Sequence, residues 1–195
     1  MAAALSGVMI SELFENWGTL DVLSPTSFTS LDASTIILGS TREGRVGPGV
    51  VNEGLRFTSS SGLRLDRRNS PDFNLQSGAL LSRAETLTID FLTPVTHAGI
   101  SFFEYPDFND TATVRVYAAD DTTLLYVSPS LDAPSTPDVA FFGYYDTDGI
   151  GRMTIRSSQN DTSPLIDNLI YASVPEPTSL ALLGIGGLAL FHRRR

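Results

Sequence analysis

Thr86-Leu87-Thr88-Ile89-Asp90-Phe91-Leu92 alternates polar and apolar residues up to Phe91. Leu87, Ile89 and Phe91 fall on one side of an extended chain and Thr86, Thr88 and Asp90 on the other. That two-residue period is the mark of a half-buried strand. Thr93-Pro94 is a break signal, so residues 95–103 read as a second strand. Residues 112–118 repeat the period, with Val114, Val116 and Ala118 inward and Thr113, Arg115 and Tyr117 outward. A turn at 119–122 and a return strand at 124–127 complete a hairpin. Residues 128–137 hold three prolines and read as loop. An aromatic strand at 139–145, a turn at 146–149, an alternating strand at 150–157 and a last strand at 165–172 follow. Strands recurring at roughly ten-residue spacing with turn signals between them predict an antiparallel β-sandwich or barrel. The first third is less regular: 55–59 and 62–65 are short strand candidates, and the glycine-rich stretch 42–54 reads as loop. Nothing before residue 174 has a helical period, and no internal repeat is present.

The chain has 195 residues, 42% of them apolar and 18% charged, which is enough for one domain with its own core. It has no cysteine, so disulfides and thiolate metal sites are excluded. All thirteen basic residues are arginine. The formal charge is −9, and residues 178–195 contain three arginines and no acid, leaving −12 on residues 1–177. Such a surface repels a phosphate backbone, and no nucleic-acid partner is expected.

The end of the chain reads differently. Val174-Pro175-Glu176-Pro177 places two prolines around one glutamate, which dictates an extended, exposed segment suited to a protease cleft. An uncharged apolar run follows, with Leu180, Leu182, Leu183, Ile185, Leu188, Leu190 and Phe191 as its large side chains. As a helix it would be hydrophobic all round, which suits a membrane. Arg193, Arg194 and Arg195 close the chain and would stay on the cytoplasmic side. Residues 178–191 would span only ~21 Å as a helix against a hydrocarbon core of ~30 Å. The mismatch fits a temporary anchor better than a permanent one.

This order of Pro-Glu-Pro, short Leu/Gly/Ala helix and terminal arginine cluster resembles the PEP-CTERM sorting signal of Gram-negative bacteria. The resemblance covers about the last 22 residues. It implies that an exosortase in the inner membrane recognises Pro175, Glu176 and Pro177, that the apolar run is the transient membrane segment, and that Arg193, Arg194 and Arg195 stop transfer. It further implies export to the cell surface or to the exopolysaccharide matrix of a biofilm. A second, diffuse resemblance rests on residues 114–117, Phe141-Phe142-Gly143 and Ile166-Asp167-Asn168-Leu169. It is to jelly-roll-like sandwich domains found in front of such tails. The chain is thus expected to be a body at 1–173 and a sorting tail at 174–195. Residues 1–18 are expected to be either a truncated signal-peptide remnant, with the true start upstream, or the first element of the body, since Met1–Ile10 is apolar but lacks a positive n-region.

Chemistry is sparse in the body. The two histidines, His97 and His192, support neither a serine triad nor a zinc site, and His97 reads as structural. Glu85, Asp90, Glu104 and Asp107 could in principle supply an acid/base pair, but no spacing selects two of them. Calcium is the candidate cofactor, through Asp107, Asn109, Asp146 and Asp148, although Asp and Asn also favour turns for local reasons. Trp17, Tyr105, Tyr144 and Tyr145 are the aromatics that could stack on a sugar. The leading expectation is a non-enzymatic structural or adhesive surface protein. A carbohydrate- or calcium-binding module is the alternative, and a secreted hydrolase is the weakest reading.

Overall fold

The computed structural model describes residues 9–12, 28–32, 51–66, 79–82, 85–103, 110–134, 138–158 and 165–173. Among them every regular element is a strand, and every pairing between strands is antiparallel. The strands are β1 (Met9–Glu12), β2 (Phe28–Asp32), β3 (Leu55–Asp66), β4 (Ala79–Ser82), β5 (Thr86–Phe103), β6 (Asp110–Ala118), β7 (Leu124–Val127), β8 (Leu131–Ala133), β9 (Ala140–Ser157) and β10 (Leu165–Ser173). The sheet order is β1-β10-β4-β3-β5-β9-β6-β7, with β2 on β3 and β8 on β6. β10 also pairs with β5, so β5, β3, β4 and β10 form a closed hydrogen-bonded circuit.

The expected alternation holds in the stretch that opens β5. Leu87, Ile89 and Phe91 are buried, as are Val114 and Val116 on β6 and Met153 and Ile155 on β9. Each such side chain contributes ~1.5–3 kcal/mol through removal of apolar surface from water. Ala118 is half-buried where it was expected inward, and Ala112 joins the core instead.

Three expected strand ends are not ends. Residues 55–59 and 62–65 belong to one strand, β3, and Gly62 with φ 111° marks an irregularity within it. Thr93-Pro94 lies inside the continuous β5, and 146–149 lies inside the continuous β9. The last two are one feature. From the Asp90–Arg152 pair to Val95–Ile150, β5 advances five residues and β9 two; from there to His97–Tyr145, β5 advances two and β9 five. Each strand therefore bulges by three residues, and the bulges cancel. An odd excess reverses which parity faces inward. On β5 the core side chains change from odd positions 87, 89 and 91 to even positions 98, 100 and 102, with 99 and 103 also buried on the other face, and on β9 the exposed odd positions 141, 143 and 145 give way to buried 151, 153 and 155.

The residue types fit this corner. Leu92, Thr93 and Pro94 take part in no ladder register, so the missing proline N–H leaves no gap. The Leu92 amide donates instead to Gly54 O at 2.8 Å. Gly149, at φ 103°, supplies the backbone conformation that the β9 bulge requires. β5 also changes neighbours here, from β3 (last pair Leu55–Phe91) to β10 (first pair Val95–Ser173).

The β6–β7 hairpin matches expectation. At its turn, Asp120 Oδ1 accepts the Thr122 and Thr123 amides at 2.8 and 2.7 Å, and Oδ2 accepts the Thr123 hydroxyl at 2.6 Å. These bonds, the Thr123 hydroxyl foremost, hold the Asp120 carboxyl well below the usual carboxylate range. Beyond β7, Ser128 is buried: its Oγ accepts the Val114 amide at 2.9 Å while its own amide donates to Val114 O at 2.8 Å. The proline-bearing segment that follows is not all loop, because β8 pairs with β6.

Two outcomes follow from these contacts. Ser128→Ala leaves the buried Val114 amide without its acceptor and should lower stability by ~1–3 kcal/mol in denaturant unfolding, whereas exposed Ser130→Ala should change little. Asp120 has a folded pKa depressed below its unfolded value, so its contribution is full above about pH 4 and is lost as pH falls through the folded value. Wild type should therefore lose stability more steeply below pH 4 than Asp120→Asn, measured by thermal melts across an acid series.

Candidate functional site

The first half of β9 carries aromatics on both of its faces. Phe142 and Tyr144 are half-buried and meet Tyr126 of β7, with ring centroids 6.0 and 5.4 Å away and interplanar angles of 24° and 28°. Phe141 and Tyr145 alternate onto the opposite face and are 61% and 53% exposed. The β5 register sets Ser101 beside Phe141, Gly99 beside Gly143 and His97 beside Tyr145.

These pairings build a flat surface. The His97 and Tyr145 rings lie 4.4 Å apart at 39°. Thr96 Oγ1, 2.9 Å from His97 Nδ1, helps fix the imidazole. A Cβ on Gly99 would stand 2.7 Å from Phe141 Cζ, and one on Gly143 would stand 3.1 Å from Phe141 Cε1. The Phe141 ring thus lies down across two cross-paired glycines and offers its outer face to solvent. Val139, also exposed, extends the patch. Flat exposed rings beside hydroxyl and imidazole groups can stack on the apolar face of a sugar ring and hydrogen-bond its edge.

Of the four aromatics expected from sequence, Tyr145 stands on this surface, Tyr144 turns away from it, and Trp17 and Tyr105 lie outside the described residues. Phe141 and His97 are the residues that sequence reasoning missed. The spacing Phe141-x-Gly143-x-Tyr145 was a usable signal, but the opposing Gly99 is visible only once the register is known.

The acidic candidates are otherwise occupied. Glu85 Oε2 accepts from Arg156 Nη2 at 3.0 Å, and Asp90 Oδ1 accepts from Arg152 Nε at 2.6 Å. The Asp90 bond is the main reason the Arg152 guanidinium titrates even higher than usual. Glu104 lies outside the described residues. Arg152 also donates to Asp121 O at 3.2 Å, so it ties β5 and β9 to the hairpin turn. Of the calcium candidates, Asp146 Oδ1 accepts the Asp148 amide at 2.8 Å, a local turn contact, while Asp107 and Asn109 lie outside the described residues. Among the described residues no three metal-ligating side chains converge.

On the outer face beyond the corner, one row of cross-strand partners alternates in charge: Asp32 on β2, Arg56 on β3, Asp90 on β5 and Arg152 on β9. Opposite charges on neighbouring strands support the register by ~0.2–1 kcal/mol per pair.

The tail residues Pro175, Glu176 and Pro177, the apolar run and Arg193, Arg194 and Arg195 all lie outside the described residues, as does the expected C-terminal helix. Among the described residues no helix is long and apolar enough to cross a membrane. β10 runs to Ser173, directly before the tail.

No curated protein matches this sequence. Among solved structures, the chain is similar to the CBM22-1 xylan-binding domain of Paenibacillus barcinonensis Xyn10C, at 13% identity and TM-score 0.49, covering 89% of this chain and 99% of that one. It is similar to CBM35 from the same organism, at 14% identity and TM-score 0.38, covering 75% and 100%. It is also similar to a family 89 glycoside hydrolase of Clostridium perfringens, at 16% identity and TM-score 0.39, covering 64% of this chain and 15% of that one. The match in sequence lies at the C-terminus: residues 173–195 are a PEP-CTERM protein-sorting motif.

Proposed function

We propose that this protein is exported through the inner membrane of a Gram-negative bacterium and delivered by its tail to the cell surface or exopolysaccharide matrix, where its body has a structural or adhesive role without catalysing a reaction. The carrying observation is the sorting motif at 173–195, which begins at the last residue of β10. In this reading an exosortase recognises Pro175, Glu176 and Pro177, the apolar run holds the precursor in the membrane during processing, and the terminal arginines stop transfer. The body is read as a jelly-roll-like sandwich whose layers share β5 and β9 and meet at their paired bulges.

The exposed Phe141–Tyr145 surface favours a second, compatible reading, in which the body is a carbohydrate-binding module and the surface or matrix polysaccharide is its ligand. The glycine floor supports this: Gly99 and Gly143 leave the room in which the Phe141 ring lies flat. A flat, uncovered ring suits a saccharide chain more than a protein knob.

Fractionation of native cells, with mass spectrometry of the mature C-terminus, tests the sorting. The body is expected in the surface or matrix fraction without Arg195, and Glu176→Ala should accumulate unprocessed in the inner membrane. Recovery of the intact chain as a soluble intracellular species would sink the proposal. For the second reading, binding to exopolysaccharide from the same cells should weaken about 3–10-fold in Phe141→Ala, as expected for one aromatic contact on the order of 1 kcal/mol. Gly99→Ala, which lifts the Phe141 ring, should weaken it similarly, and unchanged binding in both variants would remove the aromatic face from the account.

A further inference from the structure

We propose that the outer face where β6 meets the end of β9 holds a second site, which binds the carboxylate of an acidic saccharide. Thr113 is the register partner of Arg156, and Arg115 that of Thr154. The two-residue period then puts Thr113 and Arg115 of β6 on the same face as Arg156 of β9 and Ser158 just beyond it. Together with Ser157 they line an open cavity of about 220 Å³. The outward-facing lining side chains are guanidinium or hydroxyl groups, while Ser157 itself is buried.

The rim is held by backbone bonds. Ser158 N–H donates to Thr111 O at 2.8 Å, and Ser157 N–H donates to Glu85 O at 2.9 Å. Arg156 is partly neutralised by Glu85, at 3.0 Å. Arg115 is exposed and, among the described residues, forms no ion pair. In a chain of net charge −9, this is a local donor cluster that long-range attraction does not serve, because the overall field repels anions. Recognition must therefore be short-range. A planar guanidinium fork matches a carboxylate in geometry, and the hydroxyls match the edge of a sugar ring. The volume is below the ~300–1,000 Å³ of pockets that enclose a whole drug-sized ligand, so it suits one anionic group of a chain that continues outside.

The carboxylate assignment stands on the pocket alone, while the saccharide assignment rests on the proposed surface or matrix location. The site is separate from the aromatic face: residues 141 and 145 precede the Gly149 bulge of β9, and residues 156–158 follow it.

Calorimetry on the full-length protein in mild detergent decides the matter, with trigalacturonate, neutral galactotriose and acetate as probes. Trigalacturonate should bind at least tenfold more tightly than either of the others. Arg115→Ala should weaken it more than tenfold, and Arg115→Lys should restore only part, because lysine offers a point charge without the fork. Arg115 is exposed, so thermal melts of both variants should match wild type. Absence of trigalacturonate binding, or unchanged affinity in Arg115→Ala, overturns the pocket without touching the sorting proposal. Equal affinity for acetate overturns the saccharide assignment. Loss of binding in Phe141→Ala would transfer the ligand to the aromatic face and likewise overturn the second site.

Discussion

Asp90 and His97 on β5 are seven positions apart, and so are Tyr145 and Arg152 on β9. Between those two rungs the strands leave register and return to it together. That equality is the constraint on which the architecture rests. One uncompensated bulge would shift everything after it to the opposite face of the sheet. With a matched partner, each strand can turn a corner and still keep one side against the core. The corner is also where β5 exchanges β3 for β10, so the long strands connect regions of sheet with different neighbours.

The surfaces follow from the same constraint. Before its bulge β9 exposes Phe141 and Tyr145; after it, β9 presents Arg152, Thr154 and Arg156 on the outer side. One strand therefore contributes to two chemically distinct outer faces. Arg152 ties the arrangement across the corner by holding Asp90 and the carbonyl of Asp121 at once. Gly151 makes this close approach possible, because a Cβ there would stand 2.7 Å from Ala118 O. The hairpin turn thus packs directly on the backbone of β9.

The sequence revealed strands more readily than their ends. The alternations at Leu87-Thr88-Ile89 and Met153-Thr154-Ile155 needed no partner to be read. The gap at Ser60-Ser61 and the segments Thr93-Pro94 and Asp146–Gly149 were readable as departures from regular backbone, yet each lies at a bulge inside a longer strand. The same residue chemistry serves a turn or a bulge: positive φ at glycine, a missing donor at proline. What decides between them is whether the next segment finds a partner in register, and that partner lies far away in sequence. β2 and β4 escaped notice because four or five residues are too few to show a period, and neither returns from a legible strand as β7 returns from β6. The sorting motif was legible for the opposite reason, since its meaning lies in linear order and not in contacts. The aromatic surface was half legible: Tyr145 by its type, but not Phe141, whose exposure depends on Gly99 on another strand.

β10 lies between β1 and β5, hydrogen-bonded on both sides almost to its final residue, and the sorting motif starts where it stops. No spacer insulates the two. Antiparallel ladder bonds run perpendicular to their strands, so tension applied beyond Ser173 along the strand axis loads the rungs in shear, many at a time. A peripheral hairpin pulled from its tip would open rung by rung like a zipper. Placement of the exit strand inside the sheet therefore makes the body mechanically resistant at the point where a membrane-held terminus would tug on it.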